Sequence, residues 1–162
     1  MRFATERRLL QGAIGLACLV PLSAGFAGVI EGPAMLRGVA ATPPDLDSHM
    51  RYLSGLLLGI GIGFLACVPR IEARGALFRA LGLIVVVGGL ARAVSLLEAG
   101  IPGAEHRLAL AMELGATPLL VLWQARIARR WNAELRVSND STPRPDTQQK
   151  LQVPEKPSAA GQ

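Results

Sequence analysis

The sequence predicts an all-α fold, an integral membrane four-helix bundle of up-down-up-down topology, and three observations carry that prediction. Apolar residues fall in four long blocks rather than at a helical or strand period. Basic residues gather at the ends of those blocks, and Pro- and Gly-bearing polar segments separate them. A helix crosses the hydrocarbon of a bilayer in ~20 residues. The blocks 9–30, 52–68, 77–97 and 108–123 approach that length, so the expected organisation is a cytoplasmic segment 1–8, a membrane domain 9–127 and a cytoplasmic, disordered tail 128–162.

The first block, within MRFATERRLLQGAIGLACLVPLSAGFAG, has the basic start and small-residue end of a signal peptide. Its apolar run reaches Ile30, longer than such a signal needs, so it reads as the first span. The segment from Glu31 to Met50 holds Gly32, Pro33, Gly38, Pro43 and Pro44 and is expected to be an outward loop with a short surface helix at AMLRGVA. The second and fourth blocks are short, and flanking arginines would snorkel to complete them. Pro69 should end helix two, and EAGIPGAEHR makes helices three and four an antiparallel hairpin. From Asn132 onward the chain is polar and Pro-rich, with few residues able to build a core.

Charge sets orientation. Arg2, Arg7 and Arg8 precede helix one, Arg70, Arg74 and Arg79 surround the second connection, and Arg126, Arg129, Arg130 and Arg136 follow helix four. Only Arg37, Arg51 and Arg107 belong to the other side, and ten against three places both termini in the cytoplasm of a multi-pass inner-membrane protein. The net charge of +5 is thereby topological, and no nucleic-acid partner is expected. Trp123 and Trp131 beside Arg126, Arg129 and Arg130 read as an interfacial anchor.

Arg92 is the residue that most needs explaining, because an unpartnered charge in hydrocarbon costs on the order of 3 kcal/mol. It lies ten residues before Pro102 and Glu113 lies eleven after, so the two sit level on neighbouring helices, roughly 8 Å below the outer boundary at ~1.5 Å per residue. Arg51, Gly55, Gly59 and Gly63 recur every four residues, a small-residue ridge suited to a second copy or another membrane protein, with an arginine at its mouth. The expected site is a charge cluster of Arg51, Arg92 and Glu113 supported by Gly55, Gly59, Gly63, Ser95 and Thr117. It reads equally as a clamp that fixes helix register and as a binding site for an anionic head group, a carboxylate or a quinone-like ring.

Other features carry less. His49 beside Arg51 reads as a hydrated helix-start residue, and Pro21 and Pro118 should kink helices one and four. Cys18 and Cys67 act as small apolar residues at unmatched depths, so no disulfide is expected. No Gly-rich phosphate loop, Ser/His/Asp set or Cys/His cluster is visible, and the sequence nominates no catalytic residue, cofactor or metal.

The stretches SHMRYLSGLLLGIGIGF, LARAVSLLEAG and LALAMEL resemble the bacterial membrane family catalogued as domain of unknown function 4345. The resemblance covers Leu9 to Ile127 and carries over Arg51, Gly55, Arg92, Ser95, Gly100 and Glu113. Ala91 and Ala99 depart from the Gly and Asp of the family pattern, with Glu98 one place before the latter. The resemblance implies a small four-helix membrane protein and no particular activity. Three classes are carried forward. The first is a non-enzymatic protein that binds a membrane lipid or small amphiphile, or acts as an accessory subunit. The others are an oligomeric proton-coupled transporter and a quinone-linked redox subunit.

The charge bias predicts that reporter fusions after Ala41, Gly75, Gly103 and Gln162 read outside, inside, outside and inside. An exported reporter at Gln162 would contradict the four-span topology.

Overall fold

A computed structural model of the chain describes residues 3–36 and 42–140. Among those residues it is all helical: α1 (Phe3–Glu31), α2 (Pro44–Cys67), α3 (Gly75–Ala99), α4 (Ala104–Ala111) and α5 (Thr117–Asp140). A wide π turn, Met112–Ala116, joins α4 to α5, and the three segments together form the fourth rod of the bundle. Four stretches are long and apolar enough to cross a membrane: Phe3–Met35, Pro44–Arg70, Gly75–Ala99 and Ala104–Ser138.

The second and fourth of these stretches, 27 and 35 residues long, outrun their apolar blocks. At the start of α2 the reason is local. Pro44 takes the first helical position, where its missing N–H costs nothing, and Asp45 and Asp47 complement the helix dipole in the first turn. At the end of the fourth rod the reason is tertiary. Trp131 stacks on Phe3 with ring centroids 6.0 Å apart, and Arg130 Nη1 donates to Glu6 Oε2 at 2.6 Å. Tethered there, the good helix formers Ala133, Glu134, Leu135 and Arg136 continue the helix to Asp140. The expectation of disorder from Asn132 is thus corrected as far as Asp140, and residues 141–162 lie outside the described residues. The expected surface helix at AMLRGVA falls largely on residues 37–41, also outside them, and begins at a 3₁₀ turn, Gly32–Met35.

The connections follow their punctuation. α2 gives way to a 3₁₀ turn, Val68–Arg70, that contains Pro69. α3 stops at Gly100, whose φ of 94° is open to glycine and strained for other residues. α1 runs unbroken through Pro21, whereas the π turn accommodates Pro118: Thr117 directs both its backbone N–H and its hydroxyl, at 3.0 Å, to the carbonyl of Met112.

Packing closes a ring in which α1 meets α2, α2 meets α3, α3 meets α5 and α5 returns to α1. Large core side chains gather at the end that holds Phe3 and the 68–74 turn, called here the basic end: Leu10, Ile14, Cys18, Phe64, Cys67, Ile71, Phe78 and Ile127. Both cysteines are buried there as free thiols. The opposite end is packed by small residues. A Cβ on Gly25 would stand 2.7 Å from Leu58 N and 2.9 Å from Ser54 O, so α1 and α2 approach backbone to backbone. Around the outside, Leu16, Leu19, Phe26, Leu83, Leu97 and Leu119 are exposed, while Glu6, Ser54 and Gln124 are buried. That distribution suits a lipid solvent.

Because the atoms facing Gly25 are backbone and cannot step aside, Gly25→Ala should lower stability by about 1–3 kcal/mol. Gly59, with nothing within 4 Å of its Cβ position, is the control, and Gly59→Ala should be neutral or slightly stabilising. Thermal unfolding in detergent compares the two, and equal effects would refute the close approach.

Candidate intramembrane charge site

Arg92 stands two turns before the end of α3, and Glu113 is the second residue of the π turn that follows α4. The two meet as a bidentate pair: Arg92 Nε donates to Glu113 Oε2 at 2.9 Å and Arg92 Nη2 donates to Oε1 at 3.0 Å. Parallel N–H···O bonds of this kind are the strongest pairing available to a guanidinium. Gly89 makes the meeting possible, because a Cβ there would lie 2.8 Å from both Glu113 Cβ and Leu114 Cδ2. Gly88, by contrast, faces open space. The Arg92 side chain is 33% exposed and that of Glu113 18%, so the carboxylate is the more enclosed partner.

The supporting residues divide. Thr117 opens α5 and caps the π turn, its hydroxyl committed to the Met112 carbonyl. Ser95 is exposed, three residues beyond Arg92 on α3 and therefore on the same stripe of that helix.

Arg51 does not join the pair. Its Nε donates to Asp47 Oδ2 at 2.8 Å, and its Nη1 donates to the carbonyls of Val29 at 2.6 Å and Ile30 at 2.8 Å. These are carbonyls of the last turn of α1, which lack helical partners, and a cation there also complements the dipole. Gly32 leaves the space: at φ 58°, its Cβ would fall 2.6 Å from Asp47 Oδ1 and 3.0 Å from Arg51 Nη2. The expected three-residue convergence is therefore a pair, with Arg51 acting as a helix cap.

The glycine ridge also separates. Gly55 packs toward Val29 of α1, Gly63 toward Leu81 of α3, and Gly59 is open on the outside. The period of four drifts by about 40° per step around a helix of 3.6 residues per turn, which turns the three glycines to different neighbours.

At the basic end the structure assembles polar contacts that the sequence reading did not anticipate. Where α2 ends, Arg74 Nη1 donates to Ala66 O at 2.5 Å, Gln11 Nε2 to Val68 O at 2.7 Å, Arg7 Nη2 to Pro69 O at 3.4 Å and Gln124 Nε2 to Ile71 O at 2.9 Å. Glu72 pairs with Arg7 at 3.4 Å, and Glu6 lies between Arg126 at 3.4 Å and Arg130 at 2.6 Å. Gln124 is the one residue here with a visible signal, an amide interrupting the apolar run LLVLWQARI.

Four helices long and apolar enough to cross a membrane, large apolar side chains exposed around them and an Arg–Glu pair between α3 and the fourth rod describe a small helical membrane protein. Residues 9–124 match the family described as Domain of unknown function (DUF4345), and the chain belongs to that family. No curated protein and no solved structure matches it.

A cycle of leucine substitutions measures the pair. Glu113→Leu should cost about 3 kcal/mol because it strands a guanidinium, and Arg92→Leu should cost less because the remaining carboxylate can take up a proton. The double variant should recover much of the loss, giving a coupling energy on the order of 1–3 kcal/mol in thermal or denaturant unfolding. Additive losses would show that the two side chains act independently.

Proposed function

We propose that the chain is a non-enzymatic, multi-pass protein of the bacterial inner membrane that holds the polar head of a lipid or small amphiphile at the Arg92–Glu113 pair. With both termini cytoplasmic, that pair lies in the outer half of the bilayer. The observation that supports this reading is the open edge of Arg92. Two of its donors are engaged by Glu113, while Nη1 has no hydrogen-bond partner among the described residues and the side chain is one-third exposed. Unused N–H groups at that depth demand an acceptor from outside the chain. Gly88 and Ser95, one turn to either side on the same stripe of α3, leave the approach clear of large side chains. A phosphate, carboxylate or ring carbonyl would suit the guanidinium edge.

A second reading, an oligomeric proton-coupled transporter, is favoured by one feature: Glu113 sits inside a π turn just ahead of Pro118, where the backbone ladder is already irregular.

Native mass spectrometry of the full chain extracted in mild detergent tests the first reading. The wild type should retain an amphiphile that the Arg92→Leu/Glu113→Leu double variant, still folded, releases. Retention by both would overturn the site. Proton-driven substrate flux in liposomes that disappears in Glu113→Gln would establish the transporter instead, and a retained quinone would point to the redox subunit.

A further inference from the structure

At the basic end, α1 and α5 bound an open groove of about 750 Å³ lined by Glu6, Leu9, Leu122, Trp123, Arg126 and Arg130. Its charge is unbalanced. Glu6 is buried, with Oε1 3.4 Å from Arg126 Nε and Oε2 accepting a hydrogen bond from Arg130 Nη1 at 2.6 Å. One carboxylate against two guanidiniums leaves a net positive charge. The arginine side chains are 59% and 45% exposed where Glu6 is 9% exposed, so the positive groups face outward and the negative one does not.

The polar and apolar walls are ordered along the bundle axis. Toward the middle of the apolar blocks, α1 presents Glu6 and then Leu9, while α5 presents Arg130, Arg126 and then Trp123 and Leu122. Leu9 and Leu122 are 48% and 66% exposed, so the apolar end is as accessible as the charged one. A molecule that fits this gradient carries an anionic head at the level of the arginines and a hydrocarbon tail beside the leucines. A soluble anion would leave the apolar half empty, and a zwitterionic head would gain little from the excess positive charge. Basic clefts between helices at an anionic membrane surface attract head groups through this electrostatic term.

We infer that the groove binds an anionic phospholipid, its phosphate on Arg126 and Arg130 and the start of its acyl chains against Leu9, Leu122 and Trp123. This site lies at the end of the bundle away from the turn beside Arg92 and Glu113 and stands whether or not that pair holds a ligand.

Tryptophan quenching tests the inference on the full chain reconstituted in phosphatidylcholine vesicles. The chain has two tryptophans, and a Trp131→Phe background keeps a ring stacked on Phe3 while leaving Trp123 as the reporter. Brominated phosphatidylglycerol should quench Trp123 more strongly than brominated phosphatidylcholine at the same mole fraction, with a relative affinity of about fivefold. Glu6→Gln, which frees both arginines, should widen that preference. Combining Glu6→Gln with Arg126→Gln and Arg130→Gln removes all three charges without stranding any, and should bring the two lipids to equal quenching with helix content unchanged. Equal quenching in the parent chain, or an undiminished preference in the triple variant, would overturn the proposal. Loss of the preference on adding soluble glycerol phosphate would assign the groove to a free anion and overturn the lipid.

Discussion

The last carbonyls of a helix have no partner within it, and where a helix ends against apolar surroundings that offer little water the chain itself must supply the donors. Much of the polar chemistry of this bundle follows from that requirement. Arg51 answers the end of α1 through Val29 and Ile30. Arg74, Gln11, Arg7 and Gln124 answer the carbonyls from Ala66 to Ile71 where α2 ends. Three of those four donors come from helices other than α2 and α3, so capping α2 also ties α1 and α5 to the 68–74 turn. The Arg92–Glu113 pair meets the same demand for side-chain charges and links α3 to the π turn.

The division of side chains by size follows from the same solvent. Lipid gives apolar side chains little reason to cluster, and close packing must come from shape. At the basic end the shape is made by Phe64 and Phe78, edge to face with centroids 5.0 Å apart, together with aliphatic neighbours. At the other end it is made by backbone approach at Gly25, and across the bundle Gly89 admits Glu113 to α3 in the same way. One glycine brings two helices together and the other brings a charge to its partner.

How far the sequence could be read depended on what kind of partner each residue has. Arg92 and Glu113 were legible because a short turn joins their helices, and counting from Pro102 sets their depth. Arg51 was misread because its main partners are carbonyls, which every residue carries and no letter marks, although Asp47 four residues earlier was available as a hint. Glu6 with Arg126 and Arg130 required knowing that the last helix returns to the first, a consequence of ring closure rather than of any local pattern. The helical continuation past Asn132 was hidden for the same reason, since a polar stretch becomes ordered when Trp131 and Arg130 are held against Phe3 and Glu6. The number of membrane-crossing helices, by contrast, follows from the apolar blocks alone.

The π turn between α4 and α5 has a bearing on how this chain can change over evolutionary time. A π turn holds about one residue more than an α turn, which rotates everything after it by roughly 100° about the helix axis. Met112–Ala116 therefore works as a phase adjuster between two faces of the fourth rod, one that meets Arg92 and one that meets Glu6 and Ile71. A single-residue deletion there would rotate the face that carries Gln124 and Arg130 by roughly 100° against the Arg92–Glu113 contact. At this turn the number of residues, as well as their identity, fixes which faces of the rod meet Arg92 and Glu6.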